Sequence, residues 1–179
     1  MVFKIKIDGL LFSAILVFSF LFHTAPSFAQ QKDVPRIEKR AYDKMLQHLL
    51  SHTVKEISVS EAANASDIIF LDARAAKEFE VSHIKNAQYI GYDDFEMSRV
   101  VDVPKDAKIV VYCSVGYRSE KIAERLMEAG FEDVSNLYGG IFEWKNQDQK
   151  VVNEVGTTEK VHAFDRIWGF WLKEGEKVY

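Results

Sequence analysis

The sequence predicts an α/β fold, a mainly parallel sheet with helices on both faces. Two uninterrupted apolar runs, Ile68–Leu71 and Ile109–Tyr112, have the composition of strands buried on both faces. Helical stretches alternate with strands between Val54 and Trp144, the pattern of parallel strands joined by crossover helices. The 179 residues, 47% apolar and 28% charged, suit one globular domain with an appendage.

The first 29 residues stand apart from the fold. Lys4 and Lys6 make a short positive start. Leu10–Phe22 is a 13-residue apolar run broken only by Ser13 and Ser19, and Ser27-Phe28-Ala29 sets small residues before Gln30. This arrangement is that of a secretory signal peptide over residues 1–29. The run is short of the roughly 20 residues of a membrane span. No cysteine follows it, so a lipid anchor has no attachment point. Loss of Lys4, Lys6 and Asp8 changes the net charge from -4 to -5. The expected location is periplasmic or secreted, with no membrane attachment after cleavage.

Residues 30–53 read as a helical N-terminal extension. Ile37, Tyr42, Met45, Leu46, Leu49 and Leu50 fall at roughly helical spacing, so a helix is expected from about Ile37 to Leu50. Residues 54–147 hold the α/β domain. Val54–Val59 alternates as a strand, and Ser60 is the expected N-cap of a short helix over Glu61–Ala65. After the strand Ile68–Leu71 come a helix at Ala75–Val81, a brief strand at Ala87–Ile90 and a helix or turn at Asp93–Val100. The strand Ile109–Tyr112 leads to a helix over Ser119–Ala129, whose Ile122, Ala123, Leu126 and Met127 form one stripe. Gly130 and Phe131 suit a Schellman-type end. Val134–Leu137 is the last expected strand, and Gly139-Gly140 opens a short helix through Trp144. Residues 148–179 form an aromatic tail containing His162, Phe164, Trp168, Phe170 and Trp171. So many aromatics imply packing against the domain or a partner.

Charge and cysteine count exclude several classes. A net charge of -4 argues against nucleic-acid binding through a basic surface. The one cysteine, Cys113, excludes an internal disulfide and a Cys-rich metal site. His48 and His52 are four residues apart, but no third ligand is near and no Glu stands between them. A solvated helix end is the better account. No metal and no cofactor is expected.

In an open parallel sheet, ligands bind beyond the carboxyl ends of the strands. Two segments fall there: Leu71-Asp72-Ala73-Arg74 and Cys113-Ser114-Val115-Gly116-Tyr117-Arg118-Ser119. Cys113 ends a strand, so its position is rigid. Gly116 permits a left-handed turn. The following helix directs unpaired N–H groups and its positive dipole end at the loop. Consecutive loop amides make an anion nest, and Arg118 adds a positive charge. Each feature favours a thiolate at Cys113, a bound oxyanion or a terminal sulfur anion on the cysteine.

Cys113 to Ser119 resembles the C-x-x-G-x-R-S loop of the rhodanese family. Leu71-Asp72-Ala73-Arg74, Glu78-Phe79, His83-Ile84 and Ala87 resemble its L-D-x-R…E-[FY]…G-H-I-x-x-A signature, and Gly139-Gly140 with Trp144 its closing G-G…W. The resemblance implies a rhodanese-like three-layer fold, here an exported single-domain form. It implies a sulfurtransferase that moves sulfane sulfur from a donor such as thiosulfate to a thiol or cyanide. Cys113 would be the nucleophile and persulfide carrier, and the amides of Ser114 to Ser119 would cradle the persulfide. Arg118 would stabilise negative charge, or brace the loop through Asp72 or Glu78. Asp72 and Arg74 would line or support the pocket mouth, and His83 would tie its loop to the backbone. Ser82, Lys85 and Asn86 depart from the family's usual Gly, Pro and Gly, in a loop near the site.

Three other classes fit the residues less well. A cysteine phosphatase uses C-x5-R, whereas four residues separate Cys113 from Arg118, a loop too tight for phosphate. A non-catalytic binding or sulfur-sensing module is the main alternative, weakened by the retained cysteine. A metal enzyme lacks ligands. The partners implied are a small sulfur-containing anion as donor and an external thiol or protein as acceptor, since no second cysteine can resolve the persulfide.

Overall fold

The structure is a computed structural model of the chain that describes residues 40–179. The expected signal segment, residues 1–29, and Ile37, the expected start of the first helix, lie outside the described residues. In chain order the elements are α1 (Arg40–Leu49), β1 (Lys55–Ile57), α2 (Val59–Asn64), β2 (Ile68–Asp72), α3 (Ala76–Val81), β3 (His83–Ile84) and β4 (Gln88–Tyr89). A 3-10 turn at Met97–Val100 precedes β5 (Lys108–Tyr112), α4 (Tyr117–Glu128), β6 (Asp133–Leu137) and α5 (Gly140–Asn146). The tail adds β7 (Val151–Asn153), β8 (Gly156–Thr158), β9 (Lys160–His162), a 3-10 turn at Trp168–Trp171 and β10 (Glu176–Val178).

The main sheet has the order β1-β6-β5-β2-β4 and is parallel throughout. The central strand β5 is paired on both sides, with Val110 opposite Phe70 and Ser135. Its side chains alternate between two cores, as the period of two in a strand requires. Val110 and Tyr112 pack with Tyr42 and Leu46 of α1, Val59 of α2 and Phe142 of α5. Ile109 and Val111 pack with Ile122, Ala123 and Leu126 of α4. The result is three layers, with helices on both faces of a buried parallel sheet.

Several boundaries depart from the sequence reading for local reasons. Ser58, not Ser60, caps α2. Its Oγ accepts from Glu61 N at 3.1 Å, and Glu61 Oε2 accepts from Ser58 N at 3.0 Å. This capping box ends β1 early and starts the helix two residues sooner. The long helix α4 begins at Tyr117 rather than Ser119, because Gly116 supplies its N-cap with φ 121°. At its far end Phe131 N donates to Leu126 O at 3.1 Å across Gly130, which has φ 88°, a Schellman closure. Asn86 takes φ 64°, so the residue that replaces the expected Gly adopts the left-handed turn.

The tail is more regular than its composition indicates. β3, β7 and β8 form a small antiparallel sheet, while β9 and β10 pair in parallel. Val161, Ala163 and Leu172 join the core shared by α1 and α5. Trp171 stacks on Tyr42 with ring centroids 5.2 Å apart. The N-terminal helix and the tail therefore share one core with the α/β domain.

Candidate active site at the end of the central strand

Cys113 follows directly on β5 and is 1% exposed. The Gly116 N–H donates to its Sγ at 3.1 Å. The loop carbonyls are engaged elsewhere. Cys113 O accepts from Ile141 N at 2.9 Å and Ser114 O from Phe142 N at 3.1 Å, both at the start of α5. Gly116 O accepts from Glu120 N, Ser119 Oγ and Asn136 Nδ2, all within 3.1 Å. Gly140 makes the first of these contacts possible. A Cβ there would lie 2.6 Å from Ser114 O and would also strike Cys113 O. The loop is thus held from outside by two helix N-termini and one strand side chain.

Arg118 is held by Glu78. Its Nη1 donates to Glu78 Oε2 at 2.8 Å and its Nη2 to Oε1 at 2.9 Å. Arg118 Nη2 also donates to Ser114 Oγ at 3.0 Å, while Ser114 Oγ donates to Glu78 Oε1 at 3.1 Å. Ala75 N adds a fourth donor, at 3.0 Å from Oε2, so Glu78 caps its own helix while bracing the loop. Burial alone would raise the Glu78 carboxyl. The hydrogen bonds and charge of Arg118 outweigh it and hold the group at about 2. Burial likewise works against the Arg118 guanidinium, and the Glu78 hydrogen bonds raise it above its ordinary value.

Asp72 and Arg74 do not reach the pocket. Both are wholly buried, with Arg74 Nη2 at 2.7 Å from Asp72 Oδ2 and 2.6 Å from Ser82 O. Of the two expected roles, lining and support, their placement fits support: they fasten the end of β2 to the turn after α3. His83 also lies off the pocket lining. Its Nδ1 donates to Phe79 O at 3.0 Å and its ring stacks on Phe79, a tie within its own segment. His48 bonds to Lys44 O and His52 to Glu56. Among the described residues no group of three or more His, Cys, Asp or Glu is placed to hold a metal, and no helix is long and apolar enough to cross a membrane.

A pocket of about 220 Å³ opens above Cys113. From the loop, Ser114, Val115, Tyr117 and Arg118 line it, whereas Gly116 and Ser119 are buried and are not among the lining residues. Leu49 of α1 and Phe164 and Trp168 of the tail complete the wall. Arg118 Cζ sits 5.1 Å from the Phe164 ring centroid. The sequence reading did not place these three residues at the site. The aromatic density of the tail was the available signal, but it carries no information on what the tail covers.

A single buried cysteine at the carboxyl end of a central parallel strand, cradled by the start of the next helix, defines the class of α/β protein. Within it, the chain belongs to the rhodanese-like domain family, whose model matches residues 57–147. It is 35% identical over 126 residues to a tRNA uridine(34) hydroxylase from Hamiltonella defensa subsp. Acyrthosiphon pisum, covering 68% of this chain and 36% of that protein. It is 34% identical over 113 residues to one from Escherichia fergusonii, covering 60% and 32%. The chain therefore spans about a third of the length of these curated relatives. Among solved structures, a rhodanese-related protein from Thermoplasma volcanium aligns at TM-score 0.51 and 26% identity, over 56% of this chain and 99% of that one. The BH2092 protein from Bacillus halodurans shares the fold at TM-score 0.52 and 24% identity, over 65% and 86%.

Proposed function

We propose that the chain is an exported sulfurtransferase that carries sulfane sulfur as a persulfide on Cys113. The Sγ thiolate attacks the outer sulfur of a donor such as thiosulfate. The donor S–S bond breaks, its electron pair leaves on sulfite, and Cys113–S–S⁻ forms. A thiol or cyanide then attacks the outer sulfur and the Cys113 thiolate returns. The observation that carries this reading is the Gly116 N–H at 3.1 Å from a cysteine Sγ that lies on the floor of a pocket. The loop amides and the N-terminus of α4 favour an anion there before and after sulfur transfer. Arg118 and Glu78 hold the loop in shape, and no proton shuttle is needed. With one cysteine in the chain, the acceptor comes from outside.

The hydroxylase activity in the relatives' name is not carried over. The chain spans about a third of those proteins, and its net charge of -4 is ill suited to holding a tRNA backbone. The test is thiosulfate-to-cyanide sulfur transfer by the chain from Gln30, with Cys113→Ser beside it. Thiocyanate is expected from the unsubstituted chain alone, with Cys113→Ser folded, since a serine Oγ can accept the Gly116 N–H. An active Cys113→Ser overturns the mechanism. A folded chain inert toward inorganic and organic sulfane donors alike leaves the binding or sulfur-sensing module in its place.

A further inference from the structure

The pocket wall and its charge name a substrate class, on the footing of the sulfurtransferase reading. Among the described residues, Arg118 is the only charged side chain in the lining. Both Glu78 oxygens take its guanidinium, at 2.8 and 2.9 Å, so the pair is neutral as a unit. Thiosulfate brings two negative charges at neutral pH to a site whose nucleophile reacts as a thiolate. The loop amides can accommodate the outer sulfur, but among the described residues no uncompensated cation in the lining meets the second charge. Leu49, Phe164 and Trp168 offer that end of the donor an apolar wall instead. Phe164 is 47% exposed and Tyr117 43%, so the two rings are the most open part of the lining. The volume of about 220 Å³ is below the roughly 300–1,000 Å³ of sites that engulf a drug-sized ligand, and admits a group of one ring.

We infer that this pocket selects an organic sulfane-sulfur donor, a monoanion whose transferable sulfur adjoins an apolar group of about one ring, over inorganic thiosulfate. An aryl thiosulfonate, Ar–SO2–S⁻, is the simplest member. The Cys113 thiolate attacks its outer sulfur and a Cys113–S bond forms. The sulfonyl–sulfur bond breaks, and its electron pair leaves on the sulfinate Ar–SO2⁻. The products are the sulfinate and Cys113–S–S⁻, with no external oxidant, reductant or proton. The ring meets Leu49, Phe164 and Trp168, where burial of apolar surface favours it.

The experiment compares benzenethiosulfonate with thiosulfate as donor to cyanide, reading thiocyanate, for the chain from Gln30 and its Phe164→Ala, Phe164→Leu and Trp168→Ala variants. The expected kcat/KM for benzenethiosulfonate exceeds that for thiosulfate by about tenfold or more. Phe164→Ala and Trp168→Ala lower that ratio several-fold, and Phe164→Leu restores part of it. Because both donors are read in the same protein, a variant that folds poorly loses both rates, and the preference of the unsubstituted chain then decides. Thiosulfate equal to or better than benzenethiosulfonate overturns the inference and leaves the sulfurtransferase reading standing. A ratio unchanged in all three variants overturns it too. Inertness of the folded chain toward both donors brings down the sulfurtransferase reading itself.

Discussion

Replacing Glu78 by Gln keeps the shape of the side chain and removes its charge. Four donors converge on the carboxylate: Ala75 N and Arg118 Nη1 on Oε2, Arg118 Nη2 and Ser114 Oγ on Oε1. Whichever way a glutamine amide turns, its NH2 meets an Arg118 N–H, so one Arg118 contact is lost and the guanidinium stays largely buried. The folded carboxyl sits at about 2 against an ordinary 4.5, and at about 1.4 kcal/mol per pH unit this amounts to about 3 kcal/mol. Breaking a buried pair from one side costs a similar amount, about 3–5 kcal/mol. Because the folded value is depressed, this stability is fully present above 4.5 and is lost as pH falls toward about 2. Urea unfolding at several pH values checks it. Glu78→Gln is expected to be about 3 kcal/mol less stable at neutral pH, with the two curves converging through that acid window. A loss below about 1 kcal/mol, or one that stays constant down to about pH 3, would refute the assignment. The folded fraction offers a second readout. With Arg118 no longer neutralised, donor preference shifts toward thiosulfate.

Three further outcomes follow from named contacts. Gly140→Ala places a Cβ against Cys113 O and Ser114 O at a backbone φ of 59°; a loss of about 2–3 kcal/mol or more in thermal unfolding is expected, with slower thiocyanate formation as the loop shifts. His162 is buried and its Nδ1 accepts from Phe164 N at 3.1 Å, which only the neutral ring can do. Burial, with lesser contributions from Lys77, Arg74 and Arg118, holds its pKa below the usual 6.5 despite the pull of Glu78. The depressed value makes its stability contribution complete above 6.5 and lost as pH falls through the folded value. His162→Asn, which keeps an acceptor, should flatten that part of the melting-temperature profile, and an unchanged profile counts against the assignment. Finally, the whole chain expressed in a Gram-negative host should yield a periplasmic product beginning at Gln30. Intact mass and fractionation check this, and a product retaining Met1 in the cytoplasm contradicts export.

Much of the fold was legible because its signals are local. The uniform apolar run Ile109–Tyr112 is sufficient for a strand buried on both faces, and β5 lies at the centre of the sheet. The 3.6-residue stripe and Gly130 marked α4 and its end. The sequence alone puts the cap of α2 two residues late, at Ser60, because Ser58 and Ser60 are chemically equivalent along the chain. Only the reach of Glu61 to Ser58 separates them. The short strands of the tail carry too few residues for a period to register, and β9 pairs with β10 across intervening chain.

Residue order alone is enough for the α/β class, the cysteine at a strand end, the glycine turn and the arginine beside it. Each depends on neighbours within a few residues, where backbone geometry is set by residue type. Tertiary structure alone decided how Arg118 is used and what covers Cys113. Glu78 was one of two carboxylates available to Arg118. Asp72 is engaged by Arg74, two residues along, which leaves Glu78 to the loop. Leu49 and Phe164 are 115 positions apart and reach one pocket because α1 and the tail share a core that neither could bury alone. Burial of apolar surface is non-directional, so it ensures that such segments pack somewhere. The particular place, a wall over the cysteine, follows from the shape of the assembled domain.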